Sequence, residues 1–203
     1  MSSLDRIGRV SLIVTLLLLC HAAQAQERVS PTVPNGNWDV SIWAAGATGE
    51  ENTNSFSEAR IWTAGIYLGK VMNRELAGGW RRGSLEYGFD LIPLFVTSKN
   101  QTAHGGAFEP IILKWLSSHR IGRGVPYIEL AGGGVFTTTN LPPGNTSNVN
   151  FMARGGGGIQ VFTGKRQSLD IACGWMHVSN ANLGVRNPEF NGIQVKLGYH
   201  WFK

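Results

Sequence analysis

Eight segments of the chain have the length and the side-chain pattern of membrane-spanning β-strands. Each holds about ten or more residues, as a tilted transmembrane strand requires, whereas strands of soluble proteins usually have five or six. Apolar and polar residues alternate most clearly in the third, seventh and eighth. The segments are Trp38–Thr48, Glu58–Met72, Ser84–Thr97, Ala107–Leu116, Pro126–Thr138, Phe151–Thr163, Ser168–Ser179 and Gly192–Phe202. The pattern predicts an all-β fold, an eight-stranded antiparallel outer-membrane β-barrel.

The alternation also predicts which side chains face the lipid and which face the lumen. In the third segment we expect the outward residues to be Leu85, Tyr87, Phe89, Leu91 and Phe95. Charges of both signs fall on the inward face, where they can pair, because eight strands leave room only for side chains. These inward residues are Glu86, Asp90, Glu129, Arg154, Asp170 and Lys196, with His200 beside them. The patterns of the second and fourth segments leave their phases open.

The N-terminal residues have the features of a secretory signal. Arg6 and Arg9 precede an apolar stretch, and Ala23-Gln24-Ala25 is a small-x-small cleavage site. We therefore expect residues 1–25 to be a signal peptide and residues 26–203 to be a single barrel domain. Cys173 is the only cysteine after that cleavage site, so no intramolecular disulfide is expected.

Composition and loop lengths narrow the class further. The chain has 27 glycines and 7 tryptophans with only 15% charged residues, and its formal charge of +5 is spread along the sequence. No nucleic-acid partner is expected, because no basic patch stands out. Longer polar connections at alternate junctions are typical of outer-membrane barrels. The predicted longer connections are Gly49–Ser57, Thr97–Gly106, Thr139–Asn150 and Asn180–Asn191.

His177 and Ser179 lie two residues apart near the end of the seventh segment, in the sequence His177-Val178-Ser179-Asn180. Residues i and i+2 of a strand project from the same face, so the imidazole can reach the hydroxyl. This is the arrangement that activates a serine nucleophile. The same face carries Leu169, Ile171, Cys173 and Trp175. We therefore expect any chemistry here to take place at the lipid boundary.

His177-Val178-Ser179-Asn180-Ala181, the downstream Asn187-Pro188 and the strand ending in Leu197-Gly198-Tyr199 resemble the PagL family of lipid A 3-O-deacylases. The resemblance implies a serine esterase of the outer membrane that hydrolyses the ester of the 3-position acyl chain of lipid A. It implies Ser179 as nucleophile, His177 as general base and Asn180 as an oxyanion donor. It implies no metal and no organic cofactor.

Two positions depart from the family pattern. The third member of the family triad is a glutamate fourteen residues after the histidine, and Asn191 stands there in this chain. Asn191 can accept a hydrogen bond from His177 but cannot offset an imidazolium with a full charge. Glu189, two residues earlier, is the alternative source of a carboxylate. The second departure is Asn182, where the family often has glycine, next to the expected oxyanion hole.

The expected partners are lipid A or lipopolysaccharide and membrane lipids. The sequence does not decide between a monomer and a homodimer. We expect acyl chains to lie along Trp175 and Arg186 to meet an anionic head group. An alternative is a non-catalytic barrel with a structural, adhesive or lipid-binding role, in which the missing glutamate marks lost catalysis. Another lipid esterase or acyl transferase with the same dyad is a further alternative. A soluble β-sandwich or lipocalin-like carrier is disfavoured, since its strands would turn apolar residues inward.

Overall fold

Eight antiparallel strands close into one barrel in the computed structural model, which describes residues 38–49, 54–76, 81–98 and 102–203. The strands are β1 (Trp38–Gly49), β2 (Arg60–Leu76), β3 (Gly83–Ser98), β4 (Ala103–Ser117), β5 (Gly124–Leu141), β6 (Ser147–Phe162), β7 (Gln167–Ser179) and β8 (Phe190–Phe202). The predicted fold class is confirmed. The predicted signal peptide, residues 1–25, lies outside the described residues. Among the residues described, no helix is long and apolar enough to cross a membrane.

Each strand pairs with its neighbour in sequence, and β1 pairs with β8 to close the ring. Two connections are shorter than the sequence predicts. Most of Thr97–Gly106 and of Thr139–Asn150 belongs to strands, because the glycine and polar residues there still pair across the ladder. Phe95 pairs with Gly105, and Val135 pairs with Asn150. The longer connection at residues 180–189 carries the residues that follow Ser179.

Large apolar side chains cover the outer surface, and the lumen is filled with polar and charged ones. Arg154 lies at the centre of one lumenal ion-pair cluster. Its guanidinium binds the Glu109 carboxylate through both oxygens and lies 2.9 Å from Asp90. Lys196 binds Glu129 at 2.9 Å. The predicted pairing of inward charges is confirmed, and it leaves a filled interior.

A second lumenal cluster lies closer to the first residues of β1. Nδ1 of His200 is 2.7 Å from Oδ1 of Asp39, and Nζ of Lys114 is 3.4 Å from Oε1 of Glu86. The inward position predicted for His200 is confirmed, and the structure supplies its partner. Lys114 and Glu86 are both buried. The sequence pattern does not show which residues of β4 face inward. In the structure Lys114 is one of them.

Phe95 points into the lumen, so the prediction that it faces outward is wrong. The β3–β4 register shifts between Ile92 and Phe95, where three steps along β3 match two along β4. A β-bulge of this kind inserts one extra residue and reverses the alternation beyond it. It lies at Pro93, which has no backbone N–H to give to the ladder. Ile92 and Phe95 are both fully buried as a result.

An apolar layer fills the lumen below the 180–189 connection. Met176 and Val178 of β7 and Phe190 of β8 are fully buried in it, together with Ile92 and Phe95. Since side chains alternate along a strand, anchoring Met176 and Val178 inward turns His177 outward. The packing of the lumen therefore fixes the orientation of the histidine at the lipid-facing surface.

Candidate active site

His177 and Ser179 are in hydrogen-bond contact on the outer face of β7. Nε2 of the imidazole lies 2.9 Å from Oγ of the serine. Ser179 is only 9% exposed, so the hydroxyl and its hydrogen bond are sheltered from bulk water. A hydrogen bond in such surroundings is stronger than one in water. The structure thus brings together the two residues that the sequence predicts to act as a pair.

Asn191 binds the other nitrogen of the same imidazole. His177 and Asn191 are paired residues of β7 and β8, and Oδ1 of Asn191 lies 2.9 Å from Nδ1 of His177. An amide oxygen only accepts, so Nδ1 carries the proton and Nε2 is left as an acceptor. In this tautomer Ser179 donates its hydroxyl proton to Nε2. The arrangement is that of a general base next to its nucleophile.

Glu189 fixes the orientation of the side-chain amide of Asn191. Nδ2 of Asn191 donates to Oε2 of Glu189 at 3.4 Å. A carboxylate only accepts, so the NH2 group must face Glu189 and the oxygen must face His177. Glu189 therefore acts on the histidine through Asn191 and does not touch the imidazole in its described contacts. The two residues that the sequence offers as alternatives lie in one continuous chain of hydrogen bonds.

Trp175 stacks on the imidazole of His177. The ring centroids are 5.6 Å apart and the planes are inclined by 23°. Both residues face outward on β7, and the indole is 45% exposed. Stacking limits rotation of the imidazole and forms an apolar surface beside the hydroxyl. Trp175 thus lies where the sequence predicts contact with acyl chains.

Asn180 is fully buried, and its described hydrogen bonds hold the following loop. Its backbone N–H donates to Oδ1 of Asn187 at 2.9 Å, and its Nδ2 donates to the carbonyl oxygen of Arg186 at 2.8 Å. The oxyanion role expected for Asn180 stays a prediction. The sequence does not predict that Asn187 holds the loop by accepting this hydrogen bond. Its only signal is its place in the Asn187-Pro188 pair.

A tight turn follows Asn180. Ala181 and Asn182 have φ angles of 49° and 65°, and the N–H of Leu183 donates to the carbonyl of Asn180. Two successive positive φ angles with this hydrogen bond are those of a type I′ turn. Asparagine tolerates this region better than other residues with a side chain. The chain can therefore keep the turn with Asn182 in place of the family's glycine.

Neighbouring connections hold the loop at residues 180–189 in place. The N–H of Glu189 donates to the carbonyl of Asn54, and the N–H of Arg186 donates to the carbonyl of Asn145. The hydroxyl of Ser57 accepts a hydrogen bond from the backbone N–H of Asn191 at 3.1 Å. The loop is thus held by two neighbouring connections, β1–β2 and β5–β6, at one end of the barrel. Sequence patterns carry no signal for these contacts, since the residues are far apart in the chain.

The side chains of Arg186 and Asn182 are exposed on this loop. Arg186 is therefore accessible to a head group, as the sequence predicts, although its contact with a ligand stays a prediction. Within the described ranges, no group of three or more His, Cys, Asp or Glu side chains is arranged to hold a metal ion.

The family model for lipid A 3-O-deacylase (PagL) matches residues 45–200. The chain therefore belongs to the PagL family, which acts on lipid A. The crystal structure of the outer membrane enzyme PagL is similar in fold, with a TM-score of 0.53 at 19% identity, over 80% of this chain and 98% of that chain. The crystal structure of the outer membrane protein OprG from Pseudomonas aeruginosa also matches, with a TM-score of 0.44 at 10% identity, over 83% of this chain and 96% of that chain. No curated protein matches the chain. Fold and family together support an outer-membrane location.

Proposed function

We propose that the protein is an outer-membrane serine esterase that removes the ester-linked 3-position acyl chain of lipid A. The observation that carries the proposal is the chain of hydrogen bonds from Ser179 through His177 to Asn191, with both distances at 2.9 Å. It supplies a nucleophile, a base in the required tautomer and a group that orients the base. Family membership supports lipid A as the substrate.

The reaction begins when Oγ of Ser179 attacks the ester carbonyl and Nε2 of His177 takes the hydroxyl proton. The tetrahedral oxyanion is held by the second N–H of the Asn180 side chain and by backbone N–H groups of the turn at Ala181 and Asn182. His177 then returns the proton to the departing sugar hydroxyl, which leaves an acyl-serine ester. His177 then takes a proton from a water molecule that attacks this ester, and returns the proton to Oγ of Ser179 as the fatty acid is released.

Both ends of the substrate find suitable surroundings at the site. Acyl chains would lie against Trp175 and the apolar outer face of β7, while Arg186 would meet an anionic head group. All the proposed residues come from one chain, so the reaction needs no second copy. Size-exclusion chromatography with light scattering tests the open question of a homodimer.

The test is to refold the protein in detergent, mix it with lipid A and measure released 3-hydroxy fatty acid by mass spectrometry. We expect release by the wild type and none by Ser179→Ala or His177→Ala. Ser118→Ala is the matched control, because Ser118 is exposed in the β4–β5 connection. No release by a folded barrel from several lipid A types would favour the non-catalytic alternative. Release of a fatty acid from another position, or its transfer to a second lipid, would favour a different esterase or an acyl transferase.

We also propose that residues 1–25 direct Sec-type export and are removed. N-terminal sequencing of protein extracted from outer membranes tests this, with Gln26 as the expected first residue. A first residue upstream of the Ala23-Gln24-Ala25 site would contradict it.

A further inference from the structure

A long apolar groove runs along the outer surface of β1, separated from Ser179 by strand β8. It consists of two adjoining open depressions of about 740 and 580 Å³. Its floor is β1, where the outward residues Ala44 and Gly46 are small. Its walls are large outward side chains of β2, β3 and β8, namely Trp62, Leu94, Ile193, Val195 and Leu197.

The groove owes its depth to this difference in side-chain size. Gly46 leaves room for the indole of Trp62, whose Cζ3 would lie 2.8 Å from a Cβ atom at that position, so the ring also forms the floor of the groove there. On the other side, the exposed side chains of Ile193, Val195 and Leu197 form a ridge along β8. The groove is therefore formed by residues of the strands β1, β2, β3 and β8 and does not depend on a loop.

The groove opens at the same end of the barrel as the candidate active site. Thr48 lines its mouth and pairs with Ile193, two residues after Asn191 on the same strand. Arg60, which is exposed, lies at this mouth as well. An apolar trough that ends at a guanidinium is complementary to an acyl chain that carries an anionic head group.

We propose that this groove binds a second acyl chain of the glycolipid whose ester Ser179 cleaves, and that Arg60 binds an anionic group on the same head group. The proposal rests on the function proposed above and adds a determinant of substrate choice. From Ile42 to Thr48 the groove runs for about 20 Å at the usual rise of a strand, which accommodates a long fatty acyl chain.

The chain in the groove is a different chain from the one that is cleaved. His177 is on β7 and the floor of the groove is on β1, two strands away, which corresponds to about 10 Å. A chain whose ester lies at Ser179 would have to cross the ridge of β8 before it reached the mouth of the groove, so the groove suits a second chain of the same head group. A head group that carries several acyl chains spans that separation. The groove therefore favours multiply acylated substrates.

Ala44→Trp fills the groove and tests the proposal. Ala44 faces outward, so the variant should fold, and heat-modifiable gel migration checks this. We expect kcat/KM for multiply acylated lipid A to fall about tenfold, mainly through KM. Hydrolysis of a single-chain p-nitrophenyl ester should stay unchanged. The matched control is Leu113→Trp, because Leu113 is an exposed residue of β4, away from the groove. Equal losses on both substrates, or no loss on lipid A, would overturn the proposal.

Arg60→Gln provides a second variant that leaves the apolar surface intact. We expect it to weaken the reaction with phosphorylated lipid A and to leave dephosphorylated lipid A unaffected. An equal effect on the two lipids would contradict the role of Arg60.

A binding measurement tests the proposed groove independently of the proposed esterase activity. Native mass spectrometry of Ser179→Ala measures retained lipid A and retained phosphatidylglycerol without any turnover. We expect lipid A to be preferred and the preference to be lost when Ala44→Trp is added. If the wild type cleaves nothing but this preference holds, the esterase is wrong and the groove stands. If both lipids are retained equally, the groove is an ordinary membrane-facing surface and the proposal fails.

Discussion

Nδ1 of His177 lies 2.9 Å from Oδ1 of Asn191, so a neutral amide occupies the place where the family pattern has a carboxylate. The amide can fix the tautomer of the imidazole but gives the imidazolium less stabilisation than a full charge would. The nearest carboxylate in this chain of contacts is that of Glu189, bound to the far side of the amide. In this chain Asn191 supplies the hydrogen bond to His177 and Glu189 supplies the negative charge. The charge therefore lies beyond the amide and not in direct contact with the imidazole.

Replacing Asn191 with alanine should slow the reaction without unfolding the barrel. The variant removes a hydrogen bond to a group that becomes charged in the transition state, and such bonds contribute about 1.5–3 kcal/mol. We therefore expect kcat to fall about 10- to 150-fold. Fatty acid release from lipid A measures it. Asn148→Ala is the control, since Asn148 is an exposed asparagine of β6. Unchanged kcat would mean that the amide does not orient His177.

The carboxylate and the amide should be exchangeable between positions 189 and 191. Glu189→Gln should lower kcat about two- to tenfold, because the amide then loses a charged partner. Asn191→Asp alone brings two carboxylates together, so we expect little gain from it. The double variant Asn191→Asp with Glu189→Gln removes that repulsion and puts a charge next to the imidazole. It should exceed the wild type in kcat. A double variant no faster than the wild type would contradict this account.

Trp175 should matter for the rate as well as for binding of the acyl chain. Its indole stacks on His177, and aromatic pairs contribute about 0.5–1.5 kcal/mol beyond area burial. We expect Trp175→Leu, which stays apolar, to lower kcat about two- to tenfold. The control is Phe136→Leu, since Phe136 is an exposed aromatic residue of β5, away from the site. With lipid A as substrate, kcat reports the effect of Trp175 on the rate and KM reports its effect on binding of the acyl chain. A change in KM alone would limit Trp175 to substrate binding.

Much of the fold could be predicted because a barrel strand has a two-residue period and a minimum length. Leu85, Tyr87 and Phe89 alternate with Glu86 in the sequence as they do in the structure. The prediction failed at Phe95 because a bulge adds a residue without changing the composition around it. Loop ends were misplaced because glycine and asparagine residues, typical of turns, also occur within strands such as β4, β5 and β6.

The candidate site was predictable only where it is local in sequence. His177 and Ser179 are two residues apart, so strand geometry alone brings them together. Asn191 could be placed by the resemblance, yet its contact with Glu189 depends on side-chain orientation. The contact of Asn187 with Asn180 depends on the path of a loop. The backbone N–H of Asn191 donates to the hydroxyl of Ser57, which is 134 residues away in the chain. A single sequence carries no signal for such a contact.

Asn187 should control the order of the loop that follows Ser179. Asn187→Ala leaves the buried N–H of Asn180 without its acceptor, at a cost of about 1–3 kcal/mol. We expect the loop to open about 5- to 150-fold more often, so trypsin should cut after Arg186 correspondingly faster. The intact barrel should keep its heat-modifiable migration, while kcat falls. Leu183→Ala, an exposed residue of the same loop, is the control. Cleavage at the wild-type rate would show that Asn187 does not hold the loop.

Arg154 should contribute strongly to the stability of the barrel. Its guanidinium lies between the carboxylates of Glu109 and Asp90, and all three side chains are buried. Arg154→Met leaves both carboxylates without this cation, and breaking a buried pair in this way costs about 3–5 kcal/mol. Guanidinium-induced unfolding in micelles measures the loss, with Arg166→Met in the exposed β6–β7 connection as control.

The cause of that loss can be separated from lost packing by a second substitution. If the cost comes from buried unpaired charge, adding Glu109→Gln to Arg154→Met should recover part of the stability, because it removes one of the two carboxylates. If packing of the long arginine side chain is responsible, the double variant should be no more stable than the single one. An Arg154→Met barrel as stable as the Arg166→Met control would show that the lumenal cluster does not determine stability.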